Sequence, residues 1–142
     1  MSPLKIFLID DDKIFVFLTK KTIESTEIPT RVQVFGDGEE AIKHLKKIGQ
    51  SAELLPDIIC LDLSMPIMDG WEFLDEFILL KPTIPKKVIL YLVSSSISPH
   101  DIEKAKSISV VSDFIVKPIA KEKIVELFQH YTHYNLPTTL YQ

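Results

Sequence analysis

Along the 142-residue chain, short runs of apolar, β-branched and aromatic residues recur at positions 5–9, 31–35, 57–61, 87–93 and 113–116, each bounded by Gly, Pro, Asp or Ser. Runs of that length and composition predict five β-strands. Between and after them, apolar positions fall at helical spacing over 13–25, 38–48, 70–80, 99–107 and 121–133. The order is a βα unit repeated five times. The first and third runs carry almost no polar residue, as expected when helices cover both faces of a sheet, and such alternation favours right-handed crossovers and parallel pairing. The expectation is an α/β fold with a doubly wound parallel sheet, whose functional groups gather at the carboxyl ends of the strands.

Local punctuation agrees. Asp37-Gly38 turns the chain into the second helix, and Ser98 before Pro99 reads as a helix cap with proline at the first helical position. Pro56 precedes the third strand, and Pro82 and Pro85 separate the third helix from the fourth strand. Residues 135–142, with Pro137, read as a short C-terminal tail after a single domain spanning 1–134.

Composition narrows the function classes. Lys and Arg number 16 against 20 Asp and Glu, a formal net charge of -4 with no basic run, which argues against a nucleic-acid module. Cys60, the one cysteine, lies in an apolar run and reads as a buried, inert thiol in a reducing compartment. The N-terminus lacks the pattern of a signal peptide, and no apolar run approaches the roughly 20 residues that span a bilayer. A cytoplasmic location without membrane contact is expected.

The chemistry lies at the strand ends. The first predicted strand runs into Asp10-Asp11-Asp12 and the third into Asp62, so carboxylates distant in sequence meet on one sheet edge. Their mutual repulsion calls for a cation, and an oxygen-rich donor set favours Mg²⁺ or Mn²⁺. The fourth strand delivers Ser94-Ser95-Ser96 to the same edge, and the fifth delivers Lys117-Pro118. Carboxylates with a metal, a hydroxyl and an ammonium suit a phosphoryl group: one carboxylate attacks while the others neutralise its oxygens. Each element alone has an ordinary explanation as a cap, a turn residue or a loop hydrogen bond. Their joint placement at the ends of strands one, three, four and five is what points to a site.

With those residues in view, the chain resembles a response-regulator receiver domain of the chemotaxis-protein type, from residue 4 to about 132. The matching segments are Ile6 to Asp12, Ile59 to Gly70 with its Asp-Leu-X-Met-Pro-X-Met-Asp-Gly pattern, Leu92 to Ser95, and Phe114 to Pro118. The resemblance implies a flavodoxin-like fold with strand order 2-1-3-4-5. It implies that Asp62 accepts a phosphoryl group from a histidine kinase or a histidine phosphotransfer protein. Asp10 and Asp11, with Asp62 and the main-chain carbonyl of Ser64, would hold Mg²⁺, Asp12 being a helix-start residue. Lys117 would pair with the phosphoryl oxygens, and its bond to Pro118 would be cis. Ser94 would hydrogen-bond the phosphoryl group, and Phe114 would be the switch aromatic, biasing a face made of the fourth helix, fifth strand and fifth helix. Such a protein catalyses only its own phosphorylation and dephosphorylation. It would act on a protein partner as a monomer or as a weak homodimer through the fourth-helix face, and the length leaves no room for an output domain.

Four departures from the family pattern stand out. The connection before the third strand is long, and no glycine precedes the fifth. Ser64 and Ser96, at positions where side chains can shield or guide the attacking water, are small and uncharged. The first helix carries Ile14, Val16 and Phe17 in addition to Phe15, Leu18 and Thr22, the spacing expected to face the sheet. The surplus suggests either a docking face for a kinase helix bundle or burial beneath Tyr134, Leu136, Leu140 and Tyr141.

Competing classes fit less well. A haloacid-dehalogenase-type phosphohydrolase needs a second aspartate two residues after its nucleophile, where this chain has Ser64. A flavodoxin-type nucleotide binder needs a hydroxyl- and glycine-rich loop where three aspartates stand. A receiver-like scaffold acting without phosphorylation would not require the complete set of site residues.

Overall fold

The structure, a computed structural model, describes residues 3–96 and 98–135. Five strands, β1 (Leu4–Ile9), β2 (Thr30–Phe35), β3 (Ile58–Leu61), β4 (Ile89–Ser94) and β5 (Val111–Val116), alternate with five helices. The helices are α1 (Lys13–Ser25), α2 (Gly38–Ile48), α3 (Gly70–Leu80), α4 (Pro99–Lys106) and α5 (Lys121–Asn135). All strand pairs are parallel in the order β2-β1-β3-β4-β5. The expected doubly wound, flavodoxin-like sheet is therefore the fold of the chain.

The two-residue period of the strands sorts the core into two layers. Phe7 and Ile9 of β1, Ile59 and Leu61 of β3, and Leu90 and Leu92 of β4 pack beneath α2, α3 and α4, against Leu45, Phe73, Phe77 and Ala105. Their neighbours Ile6, Leu8, Ile58, Cys60, Ile89, Tyr91 and Val93 pack on the other face against Phe15 and Ile23 of α1 and Leu127 and Phe128 of α5. Burial pushes the Cys60 thiol up to about 12, as befits an inert side chain.

Several boundaries differ from the sequence expectation. β5 begins two residues earlier than the pattern predicts, because Val111 still pairs with Leu90 ahead of a register shift between Leu90 and Tyr91. β4 begins later, and α5 runs on to Asn135. Ser98 occupies the N-cap position of α4, yet its side chain makes no capping bond. The Ser96 hydroxyl instead accepts from the Ser98 N–H at 3.2 Å. The long connection before β3 folds on Leu55, fully buried, with the Leu54 and Leu55 N–H groups both bonded to the Ser51 carbonyl.

On α1, the expected sheet-facing spacing is corrected. Phe15, Thr19 and Ile23 are buried, whereas Leu18 is 54% exposed and Thr22 only partly covered. The cap fixes this phase: the Asp12 carboxylate accepts from the N–H groups of Ile14 and Phe15, aiming Phe15 inward, and the contact stripe then follows i+4 steps. Ile14, Phe17 and Leu18 are left on the surface, and Val16 is half-buried. The alternative cover, the side chains of Tyr134, Leu136, Leu140 and Tyr141, lies outside the described ones.

The opposite edge of the sheet carries a polar anchor that the sequence pattern did not announce. Asp57, buried ahead of β3, accepts from the Lys5 N–H at 2.8 Å and from the Tyr131 hydroxyl at 2.6 Å, and pairs with the Lys86 ammonium. One carboxylate thereby ties β1, the approach to β4, and α5 together. Among the described residues, no buried side-chain nitrogen or oxygen lacks a partner, and no helix is long and apolar enough to cross a membrane.

Candidate functional site

Register alone brings the site together. Ile9 pairs with Leu61, so Asp10 and Asp62 emerge level from adjacent strands, and the Asp62 N–H donates to the Ile9 carbonyl at 2.9 Å. Ser94 ends β4 opposite Val116, and the Lys117 N–H donates to the Ser94 carbonyl at 2.9 Å. The cis Lys117-Pro118 peptide bond follows directly, as expected. Asp10, Asp62 and Ser94 are buried, and Asp11 is exposed.

Asp10, Asp11 and Asp62 each offer a carboxylate oxygen, and these oxygens lie within 4.8 Å of one another. A six-coordinate hard cation with bonds of about 2.1 Å holds opposite ligands about 4.2 Å apart, a spread that small carboxylate rotations reach from this arrangement. The donor set is all oxygen, which fits Mg²⁺ or Mn²⁺ and disfavours softer metals. Ser64 lines an open depression of about 520 Å³ together with Asp11, Met65, Asp69, Trp71 and Asp101. Asp12 serves as the helix cap, and its own N–H donates to Asp10 at 2.9 Å.

Lys117 supplies the cation of the protein itself. Its ammonium lies 2.8 Å from Asp10 and 3.7 Å from Asp62, and its side chain is only 12% exposed. Desolvation raises the Asp10 carboxyl above its usual range, against the pull of Lys117. Burial, followed by the Asp10 charge, pushes Asp62 up to about 6 despite Lys117 and the Ser64 N–H. The carboxylates repel one another, and one ammonium does not neutralise them all.

Gly70 lets this edge close. A Cβ there would stand 2.5 Å from the Asp62 carbonyl and 2.8 Å from the Leu63 Cα, so α3 can start against the backbone that carries Asp62 only because residue 70 has no side chain. The start is held by a capping box between Asp69 and Glu72 and by the Gly70 N–H on the Leu63 carbonyl. This is the physical content of the Asp-Gly pair that ends the signature segment.

Around the rim, the Ser94 hydroxyl accepts from the Ser96 N–H at 3.1 Å, and the Ser96 hydroxyl donates to Asp101 in the first turn of α4 at 3.1 Å. Phe114 is half-buried, packed against the core layer beneath α4. Two partners escaped the sequence reading. The sequence does not single out Asp101, and it marks Phe15, whose ring centroid lies 4.3 Å from the Lys117 nitrogen, only as a residue facing the sheet. The Phe15 role depends on which other strand end lies opposite, and the Asp101 role on the path of the chain between β4 and α4.

Comparison with known proteins agrees with this fold. The model of the response regulator receiver domain matches residues 6–129. A chemotaxis protein CheY of Listeria monocytogenes is 25% identical over 126 residues, covering 89% of this chain and 96% of its own. The crystal structure of a two-component response regulator from Cytophaga hutchinsonii superposes with a TM-score of 0.83 at 32% identity, covering 94% of this chain and 99% of that one. The phosphorylated cyanobacterial phytochrome response regulator RcpA superposes with a TM-score of 0.70 at 28% identity, covering 94% of each chain. With the family model spanning most of its length and its five-stranded sheet matching those solved structures, this chain belongs to the response regulator receiver domain family.

Proposed function

We propose that the chain is a phosphoryl acceptor of a two-component phosphorelay, taking the group onto Asp62 from a histidine kinase or a histidine phosphotransfer protein. The observation that carries this reading is the convergence of Asp10, Asp11 and Asp62 at one sheet edge, with the Lys117 ammonium beside Asp10 and Asp62. Asp62 is the nucleophile: its oxygen attacks phosphorus while the donor's phosphorus–oxygen or phosphorus–nitrogen bond breaks. Asp10, Asp11, Asp62 and the Ser64 main-chain carbonyl would hold Mg²⁺, which when bound neutralises phosphoryl oxygens. Lys117 neutralises a further oxygen, and Ser94 donates its hydroxyl to another. The open depression beside Ser64 gives the donor its approach.

Output follows from the same contacts. A phosphoryl group on Asp62 recruits the Ser94 hydroxyl, and Phe114 repacks toward the space that movement vacates, altering the surface of α4, β5 and α5 that meets a protein partner. For the phosphodonor, the exposed Phe17 of α1 lines a depression of about 480 Å³ together with Asp10, Asp11, Lys13, Lys20 and Val34. An apolar, lysine-rimmed patch beside the acceptor suits the side of a donor helix.

The test is incubation with Mg²⁺ and acetyl phosphate or beryllofluoride, followed by intact-protein mass spectrometry and fluorescence. An adduct that disappears in Asp62→Ala supports the reading. An adduct that survives that substitution, or steady turnover of a small phosphate ester, overturns it. Phe17→Asp should slow transfer from the kinase or phosphotransfer protein while leaving modification by acetyl phosphate unchanged.

A further inference from the structure

The Lys117 ammonium is surrounded on three sides. Asp10 accepts a hydrogen bond at 2.8 Å, Asp62 lies at 3.7 Å, and the Phe15 ring centroid stands 4.3 Å away. A cation at that distance from a desolvated aromatic face is attracted by the negative side of its quadrupole. The ring is not free to drift: Phe15 is buried, and its own N–H is fixed at 3.0 Å by Asp12, whose N–H is in turn fixed by Asp10.

We propose that Phe15 is a positioning residue for Lys117, acting through its π-face. The proposal rests on the phosphoryl-transfer reading above. An aromatic face suits this place better than either alternative class of side chain. An aliphatic residue would leave the third side of the ammonium without compensation in a buried setting. A polar side chain would hold Lys117 by a directional hydrogen bond and compete with the incoming phosphoryl oxygens. The attraction of a ring is weakly directional, so the ammonium can shift from Asp10 toward Asp62 while keeping its contact with the Phe15 face. Asp12, the aspartate left over from the metal set, thus bears on the reaction by locking the ring.

The reaction used as the test is balanced as follows. An Asp62 carboxylate oxygen bonds to the phosphorus of acetyl phosphate, and the phosphorus–oxygen bond to acetate breaks with its electron pair leaving on acetate. With Mg²⁺ present, Phe15→Leu should slow this step about 5- to 30-fold. Phe15→Tyr, which keeps the ring, should restore the rate to within about 2-fold of wild type. Phenylalanines carrying one to five ring fluorines at position 15 change shape little and drain the ring face progressively, so the rate should fall in step with fluorine number. The Nζ chemical shift of Lys117 should move along the same series.

A flat rate across the fluorinated series, or a Phe15→Leu protein as fast as wild type, overturns the positioning role while leaving Asp62 as acceptor. A wild-type protein that acetyl phosphate does not modify at Asp62 overturns the functional reading itself, and the positioning role with it.

Discussion

Lys117 stands closer to Asp10, at 2.8 Å, than to Asp62, at 3.7 Å, so in the unphosphorylated protein the lysine is bonded to the acceptor's neighbour rather than to the acceptor. Both partners of the closer pair are nearly buried. Removing the ammonium strands two carboxylates away from water, the costly way to break a buried pair. Lys117→Met should therefore destabilise the protein by about 2–4 kcal/mol. Asp10→Asn in the same chain should recover a large part of that loss. Urea denaturation of the two single variants and the double variant measures the coupling.

The raised pKa of Asp62 sets a pH dependence. Its folded value of about 6 exceeds the ordinary 3.8, so the native state holds this proton more tightly than the unfolded chain does. The associated stabilisation is fully present below about pH 4 and is lost as pH rises through about 6. Asp62→Asn escapes the loss. In metal-free buffer the variant should exceed wild type by on the order of 2 kcal/mol at pH 8, with the gap closing toward pH 4. Added Mg²⁺ at pH 8 should stabilise wild type more than the variant, and thermal melts at the two pH values report both effects.

At the far edge of the sheet, Asp57→Ala should remove the shared partner of Lys86, Tyr131 and the Lys5 N–H and cost about 2–4 kcal/mol, a figure kept modest because Lys86 reaches solvent. Tyr131→Phe should cost about 1 kcal/mol. Burial and Asp57 raise the Tyr131 phenol above its usual range, so its contribution is complete below pH 10 and fades as pH rises beyond it. Denaturant titrations at pH 7 and at pH 11 check both expectations. Modification of Asp62 by acetyl phosphate should be unaffected, since the anchor lies at the opposite end of the strands.

Ser96, rather than Ser98, makes the side-chain contacts at the start of α4. Ser96→Ala removes the acceptor of the Ser98 N–H and the donor to Asp101, which should loosen the first turn of α4 at a cost of about 1 kcal/mol. Faster amide exchange in that turn is the direct measurement. Trp71 offers a second: the Lys104 ammonium of α4 sits 4.4 Å from its ring centroid, and this tryptophan is the only one in the chain, so its emission reports displacement of α4.

The acceptor edge was legible from the chain alone because a parallel strand announces its carboxyl end. Asp10, Asp62, Ser94 and Lys117 each follow an apolar run directly, and the two-residue period leaves little choice about where those runs stop. The face of α1 was misjudged for the opposite reason. A helix rich in apolar residues on several sides offers more than one stripe, and the choice between Leu18 with Thr22 and Thr19 with Ile23 falls to the cap and to what the sheet presents.

What the sequence by itself determined is the alternation of strands and helices and the chemistry at the strand ends. These are properties of single segments, written in local periodicity and residue type. Only the tertiary structure decided that Lys117 bonds Asp10 ahead of Asp62, that Phe15 lies over that ammonium, that Ser96 binds Asp101, and that Asp57 gathers Lys5, Lys86 and Tyr131. Each of those is a distance set by strand order, loop path or helix phase, and no period in a linear pattern encodes it.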